Sequence, residues 1–171
     1  MKDSGADSTP TAIPAPPVLD PGAARLAVLG DPIAHSMSPQ LHLAAAEALG
    51  LRWQYDRWRI PAGHLAASLS ARGAGWRGVS VTAPLKAEAL AFADSASALA
   101  SRTNAANTLV FDGPDSDARA YADNTDVAGV RAALAARGIV RIEEPVDVLG
   151  AGGTAASVVA ALFGLGARLV R

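Results

Sequence analysis

From Arg25 onward, short apolar runs alternate with longer stretches in which alanine and leucine recur at helical spacing. "RLAVLG" (25–30) reads as a buried strand closed by glycine. "SPQLHLAAAEALG" (38–50) reads as a helix with Ser38 at the N-cap, Pro39 at the first helical position and Gly50 as its stop. "RWQYDRWRI" (52–60) predicts a strand with imperfect alternation, "PAGHLAASLSARG" a helix, "WRGVSVT" a strand, and "PLKAEALAFAD" a helix opening on Pro84. "AANTLVF" and "ARAYA", separated by "DGPDSD", predict a β-hairpin. "TDVAGVRAALAARG" is then helical, "EPVDVLG" a strand, "GGTAASVVAALFGLG" a helix and "ARLVR" the start of another strand.

Strand–helix alternation with short connections predicts an α/β fold with a mostly parallel sheet covered on both faces, the hairpin being its antiparallel addition. Ligands in such sheets sit at the carboxyl ends of the strands. "GDPIAHSMS", "TAPLK" and "DNTD" all follow strand-like runs, so they are candidates to converge on one site. The first 23 residues, biased to Pro, Ala, Ser and Asp, predict a flexible leader outside the fold.

Composition narrows the function classes. Among 171 residues, half are hydrophobic, enough for a packed core. A formal net charge of −1 gives no basic excess for nucleic acid. No apolar stretch reaches the ~20 residues that span a bilayer, and the N-terminus lacks the apolar segment of a secretory signal. With no cysteine there is neither a disulfide frame nor a thiol nucleophile. A cytoplasmic protein that engages neither nucleic acid nor membrane is the expectation.

"VDVLGAGGTAASVVAAL" sets Gly150, Gly152 and Ala155 in the spacing G-x-G-x-x-A, after a strand and at the mouth of a helix. Gly150 permits a tight turn, Gly152 lets the backbone approach a pyrophosphate, and Ala155 allows close helix–strand packing. The residue that reads the ribose belongs about 20 positions past the first glycine, where the sequence ends at Arg171. A longer protein is therefore expected, and the 171 residues alone are expected to be inactive.

In order along the chain, "GDPIAHSMSPQLH", "VSVTAPLK", "ANTLV", "DNTD" and "LGAGGTA" resemble the shikimate dehydrogenase family over residues 25–171. The resemblance implies a three-layer α/β/α substrate-binding catalytic domain (24–126), then a linker helix and an incomplete Rossmann cofactor domain (127–171). It implies reversible reduction of 3-dehydroshikimate to shikimate with NADPH, by a monomer or homodimer. Quinate or aminoshikimate oxidation, or a non-catalytic ligand-binding module, are the alternatives.

By that resemblance Ser36 and Ser38 hold the substrate carboxylate, although Ser38 reads equally well as a helix cap. Thr82 and Asn107 are substrate-binding, although a β-branched strand residue and a turn residue account for them as well. Lys86 and Asp126 form the catalytic pair at the reacting hydroxyl and also bind substrate. Gly150, Ala151, Gly152, Gly153, Thr154 and Ala155 bind the cofactor. The family's determinants for the NADP 2′-phosphate fall beyond Arg171, so NADP comes from the resemblance alone. His35 is expected to brace its loop, and His42 and His64 to be ordinary helix residues. Asp123, Asn124 and Thr125 read as turn or capping residues, outside the primary site.

Overall fold

The computed structural model describes Ala15 and residues 22–171; nearly all of the predicted leader lies outside the described residues. Six strands form one sheet in the order β2-β1-β3-β5-β6-β4. In chain order these are β1 (Ala24–Gly30), β2 (Trp53–Arg59), β3 (Trp76–Val81), β4 (Ser95–Ala96), β5 (Thr108–Phe111) and β6 (Ala120–Asp123). Strand β1 pairs in parallel with β2 and β3, and β4 with β6. The predicted hairpin β5–β6 is antiparallel and attaches to β3, also antiparallel. The α/β expectation with a mostly parallel sheet holds.

Alternation along β1 divides the core. Ala27 and Leu29 join Trp58, Ile60, Leu65, Leu69, Trp76, Leu85 and Leu109 in the main cluster. Leu26 and Val28 turn to the other face and pack with Ile33 and Tyr55. Helices α2 (Leu65–Ser70) and α3 (Lys86–Phe92) contribute Leu65, Leu69 and Ala89 to the first face. Helix α1 (Ser38–Ala48) covers the second, its His42 ring stacked on Tyr55. Each strand of β1 and β2 is thus buried on both sides, as parallel strands with helical crossovers require.

Three predicted features change. Ser38 is not the cap of α1: Met37 holds that position, and no side chain caps the helix. The Ser38 N–H instead donates to Ser36 Oγ at 3.3 Å. "EPVDVLG" and "ARLVR" do not become full strands; Val146 and Val170 form one parallel bridge, extended by hydrogen bonds to Leu169 and Arg171. A two-strand parallel pair without flanking strands has little to hold it. Residues 95–103, unassigned by pattern, contain β4 and α4 (Ala98–Thr103). Their signals were local: Ser97 Oγ caps α4 by accepting from Ala100 N–H, and Asn104 ends it in the left-handed region at φ 49°.

Helix α5 (Asp126–Ala135) leads out of β6 and packs against α6 (Gly153–Gly164). Among the described residues, no helix is long and apolar enough to cross a membrane. The register of the central strands brings the ends of β1, β3 and β6 and the start of β5 to one edge. Leu29 faces Val81, Ser80 faces Thr108, and Thr108 faces Asp123. The loops leaving that edge build the site.

Candidate active site

Gly30 fixes how closely two of those loops approach. A Cβ there would stand 2.5 Å from Thr82 Cγ2 and 3.0 Å from the Ala83 carbonyl oxygen. Asp31 N–H donates to that same carbonyl at 3.1 Å. The loop after β1 is therefore pressed against the loop after β3, and Thr82 turns toward the cleft between them. From β2, Arg57 donates to the Ser36 carbonyl at 2.9 and 2.6 Å, and Arg59 holds Asp31 at 2.8 Å. These two arginines brace the loop; the exposed His35 expected to do so makes no described hydrogen bond.

The cleft at this edge encloses about 630 Å³ and is lined by Ser36, Ser38, Thr82, Lys86, Asn107 and Asp126. All six candidate substrate residues, drawn from four loops, therefore share one cavity. Lys86 Nζ donates to Asp126 Oδ2 at 2.6 Å. Both side chains are shielded, at 13% and 26% exposure respectively, so the pair is poorly screened by solvent.

Local structure sets both partners. Lys86 is the first residue of α3, where the helix dipole opposes a cation; Asp126 is the first residue of α5, where the dipole favours an anion. The carboxylate compensates the misplaced ammonium. Asn107 Nδ2 donates to Asp126 Oδ1 at 2.8 Å, while its Oδ1 accepts the Thr125 N–H at 3.0 Å. Asn107 is thus a bracket across the mouth of α5. Asn124 Oδ1 accepts the Asp126 N–H at 3.0 Å and so helps start the helix.

Asn124 and Thr125 do more than the sequence suggested. Thr125 lines the cleft. Asn124 is 2% exposed, and its Nδ2, with two N–H donors, lies within hydrogen-bond reach of Thr103 Oγ1, the Ala105 carbonyl and Ser157 Oγ at 2.8, 3.0 and 3.0 Å. It therefore ties the carboxylate's loop to α6. The sequence reading also missed Tyr55, Ser80 and His42. Ser80 and His42 line the cleft. Tyr55 is buried beneath it, its phenol pushed above the ordinary value mainly by desolvation. The tyrosine was hidden in a strand whose alternation is irregular, and His42 in a helix with no polar stripe. His64, in contrast, sits at an exposed turn beside the Ala62 carbonyl.

A second cleft of about 710 Å³ is lined by Gly150, Ala151, Gly152, Gly153, Thr154 and Ala155. Gly150 has a φ of +133°, and a Cβ added at Gly150 or Gly152 would meet nothing within 4 Å. Gly152 caps α6 with no side-chain hydrogen bond, leaving the first-turn N–H groups to an external acceptor. The donor set and the open glycine cradle fit a pyrophosphate.

Lys86 borders both clefts. Its Nζ reaches Thr154 Oγ1 at 3.3 Å, and its Cδ would lie 3.2 Å from a Cβ at Gly153. An ammonium has three donors; Asp126 and Thr154 take two, and the third is left for a ligand oxygen. The geometry thus joins a hydroxyl-lined cleft to an open glycine cradle through one amine. Such an arrangement can hold an alkoxide electrostatically and protonate it.

Residues 28–109 match the family model described as the shikimate dehydrogenase substrate binding domain. The chain is 43% identical over 138 residues to the shikimate dehydrogenase (NADP(+)) of Thermus thermophilus, covering 81% of this chain and 51% of that protein. To the enzyme of the same name from Caulobacter vibrioides it is 45% identical over 143 residues, 82% of this chain and 49% of that one. The Thermus thermophilus shikimate 5-dehydrogenase solved in complex with NADP(H) and shikimate superposes with a TM-score of 0.74 at 40% identity, over 85% of this chain and 54% of that one. The Mycobacterium fortuitum shikimate 5-dehydrogenase gives 0.74 at 44% identity, over 90% and 55%. The chain spans about half the length of the curated relatives it matches.

Proposed function

We propose that the chain is a member of the shikimate dehydrogenase family, which its similarity to that family supports, and that it forms the substrate-binding and proton-handling half of an NADP-dependent oxidoreductase that interconverts 3-dehydroshikimate and shikimate. The observation that carries this reading is the Lys86–Asp126 pair, 2.6 Å apart where the two clefts meet. In this reading residues 24–126 are the catalytic domain, and residues 127–171 contribute a linker helix and the first part of the cofactor domain.

Ser36 and Ser38 donate their hydroxyl protons to the ligand carboxylate. Thr82 and Asn107 hydrogen-bond the ring hydroxyls. When bound, NADP(H) supplies or accepts the hydride, its pyrophosphate held by the cradle of Gly150–Ala155. In the reductive direction Lys86 donates to the ketone oxygen as negative charge develops there, and the proton ends on the new hydroxyl. Asp126 orients the amine through their hydrogen bond, and Asn107 holds Asp126. In the oxidative direction the same groups take the hydroxyl proton away as hydride leaves the carbon. The partner is thus a small hydroxylated acid, and a cytoplasmic setting suits such a cysteine-free chain.

Calorimetric titration of the chain with shikimate tests the reading. Saturable one-to-one binding is expected, tighter for shikimate than for quinate and abolished or strongly weakened in Ser36→Ala/Ser38→Ala. Absence of shikimate binding by the unaltered chain, or binding indifferent to both serines, would overturn it.

A further inference from the structure

Lys86, Asp126 and the glycine cradle stand on three separate elements, at the starts of α3, α5 and α6. The proposed function needs all three side by side. One buried side chain, Asn124 in the turn between β6 and α5, reaches toward the backbone of each.

Its Oδ1 accepts the Asp126 N–H at 3.0 Å. The two N–H groups of its Nδ2 are shared among the Ala105 carbonyl, Ser157 Oγ and Thr103 Oγ1. The next residue after Ala105 donates its own N–H to the Lys86 carbonyl at 2.9 Å, so the segment that Asn124 grips also holds the backbone of the lysine. Ser157, fully buried, passes its proton to the Gly153 carbonyl at 3.0 Å, at the start of α6. Gly153 is where the cradle presses on the lysine: a Cβ there would lie 3.2 Å from Lys86 Cδ and 3.3 Å from Ala105 Cβ.

The two ends of the amide fix the residue type. The Asp126 N–H needs an acceptor and the Ala105 carbonyl needs a donor, and an amide offers both. An ionised aspartate lacks the donor and leucine lacks both, so either leaves a buried polar group unpaired. The turn by itself demands less, since a serine hydroxyl also bonds the N–H two residues on. The Nδ2 end is spent wholly on groups outside that turn.

We infer that Asn124 is a positioning residue for the Lys86–Asp126 pair: its amide sets the backbone of Asp126 against the segment that holds Lys86 and keeps the glycine cradle beside them. This rests on the reading of that pair as the proton-handling groups. Asn124 lines neither cleft and acts through the residues that do.

The chain has two lysines, Lys2 and Lys86. The Lys86 ammonium can therefore be followed by NMR in a chain isotope-labelled at its lysine Nζ atoms, its signal assigned by loss in Lys86→Arg. The 2.6 Å bond to a shielded carboxylate slows exchange of its protons with water, and a resolved resonance is expected at low temperature. Asn124→Ala is expected to speed that exchange by about 3- to 10-fold, the weight of one hydrogen bond. Leu69→Ala, a truncation in the core that lines neither cleft, controls for lost stability. It is expected to lower the urea midpoint at least as far and to leave the ammonium exchange unchanged. Ser157→Ala cuts only the arm to α6, and is expected to speed amide exchange in residues 153–157 while the Lys86 signal stays as it was. Unchanged ammonium exchange in Asn124→Ala, or an equal acceleration in Leu69→Ala or Ser157→Ala, would overturn the inference. If Asn124→Ala does not fold, Asn124→Ser, which keeps the turn and loses the Nδ2 bonds, is carried through the same comparison with the same outcomes expected. Absence of a slowed Lys86 resonance in the unaltered chain would instead overturn the ion pair itself, and the proposed function together with this inference.

Discussion

Gly30 shows how one missing side chain shapes the site. Nothing in its own conformation demands glycine; the requirement comes from Thr82 and Ala83 pressed against it. Gly30→Ala is expected to destabilise the fold by about 1–3 kcal/mol through overpacking, read as a lower urea midpoint with an unchanged slope. It is also expected to weaken shikimate binding, because Thr82 has to move. A stable variant with full affinity would show that the two loops are not held by this contact. Tyr55 makes a different statement at the same scale. Desolvation raises its phenol above the ordinary value, so the neutral form is favoured in the folded state. Below the ordinary phenol value, near pH 10, both states are protonated and that stabilisation is fully present. As pH rises past it the unfolded chain ionises first, binds fewer protons than the fold, and stability falls. Tyr55→Phe is expected to flatten this alkaline limb of a denaturation series; an unaltered limb would assign the effect to other groups.

The elements differ in how openly the chain announces them. Strands β1 and β3 and helices α1, α5 and α6 were legible because their periodicity and their glycine or proline punctuation agree with where they are buried. Residues 95–103 were not, since β4 has two residues and α4 six, too few for any period to register. The capping role offered for Ser38 failed because the helix begins one residue earlier than the pattern placed it: Met37 holds the cap position, and the Ser38 hydroxyl accepts from Ser36. The six cleft residues were found through ordered motifs, whereas Tyr55, Ser80 and Asn124 carry no motif and declare themselves only by contact. Asn124 is the sharpest case. It read as a turn residue, yet it joins the start of α5 to the end of α4 and to Ser157 of α6. Asn124→Ala leaves buried Thr103, Ala105 and Ser157 atoms without that partner. A loss of about 1–3 kcal/mol is expected, with faster amide exchange in the first turn of α6 than in β1. Uniform acceleration throughout the molecule would show that Asn124 supports the core generally rather than this junction.

At the scale of the whole molecule, two cavities built from separate parts of the chain are joined through one amine. Lys86 lines both, bonded to Asp126 on one side and to Thr154 on the other. Filling the substrate cleft gives the third donor of the ammonium an acceptor and restricts the side chain. The Thr154 contact is then held more often, and the first turn of α6 is ordered with it. Shikimate is therefore expected to slow amide exchange not only in the loops after β1 and β3 but also in residues 153–157, which lie in the other cavity. Thr154→Val keeps the shape of the side chain and removes its oxygen. It is expected to abolish the protection in α6 while leaving that around Ser36 and Ser38. Lys86→Ala is expected to abolish the protection in α6 as well, and, in a protein that carries these residues with a complete cofactor domain, to lower kcat for NADP-linked shikimate oxidation by roughly 10²–10⁴, the weight of one acid–base group. Protection of α6 that survives both substitutions would mean that the two cavities communicate through Asn124 and the α5–α6 packing, with Lys86 serving the substrate cleft alone.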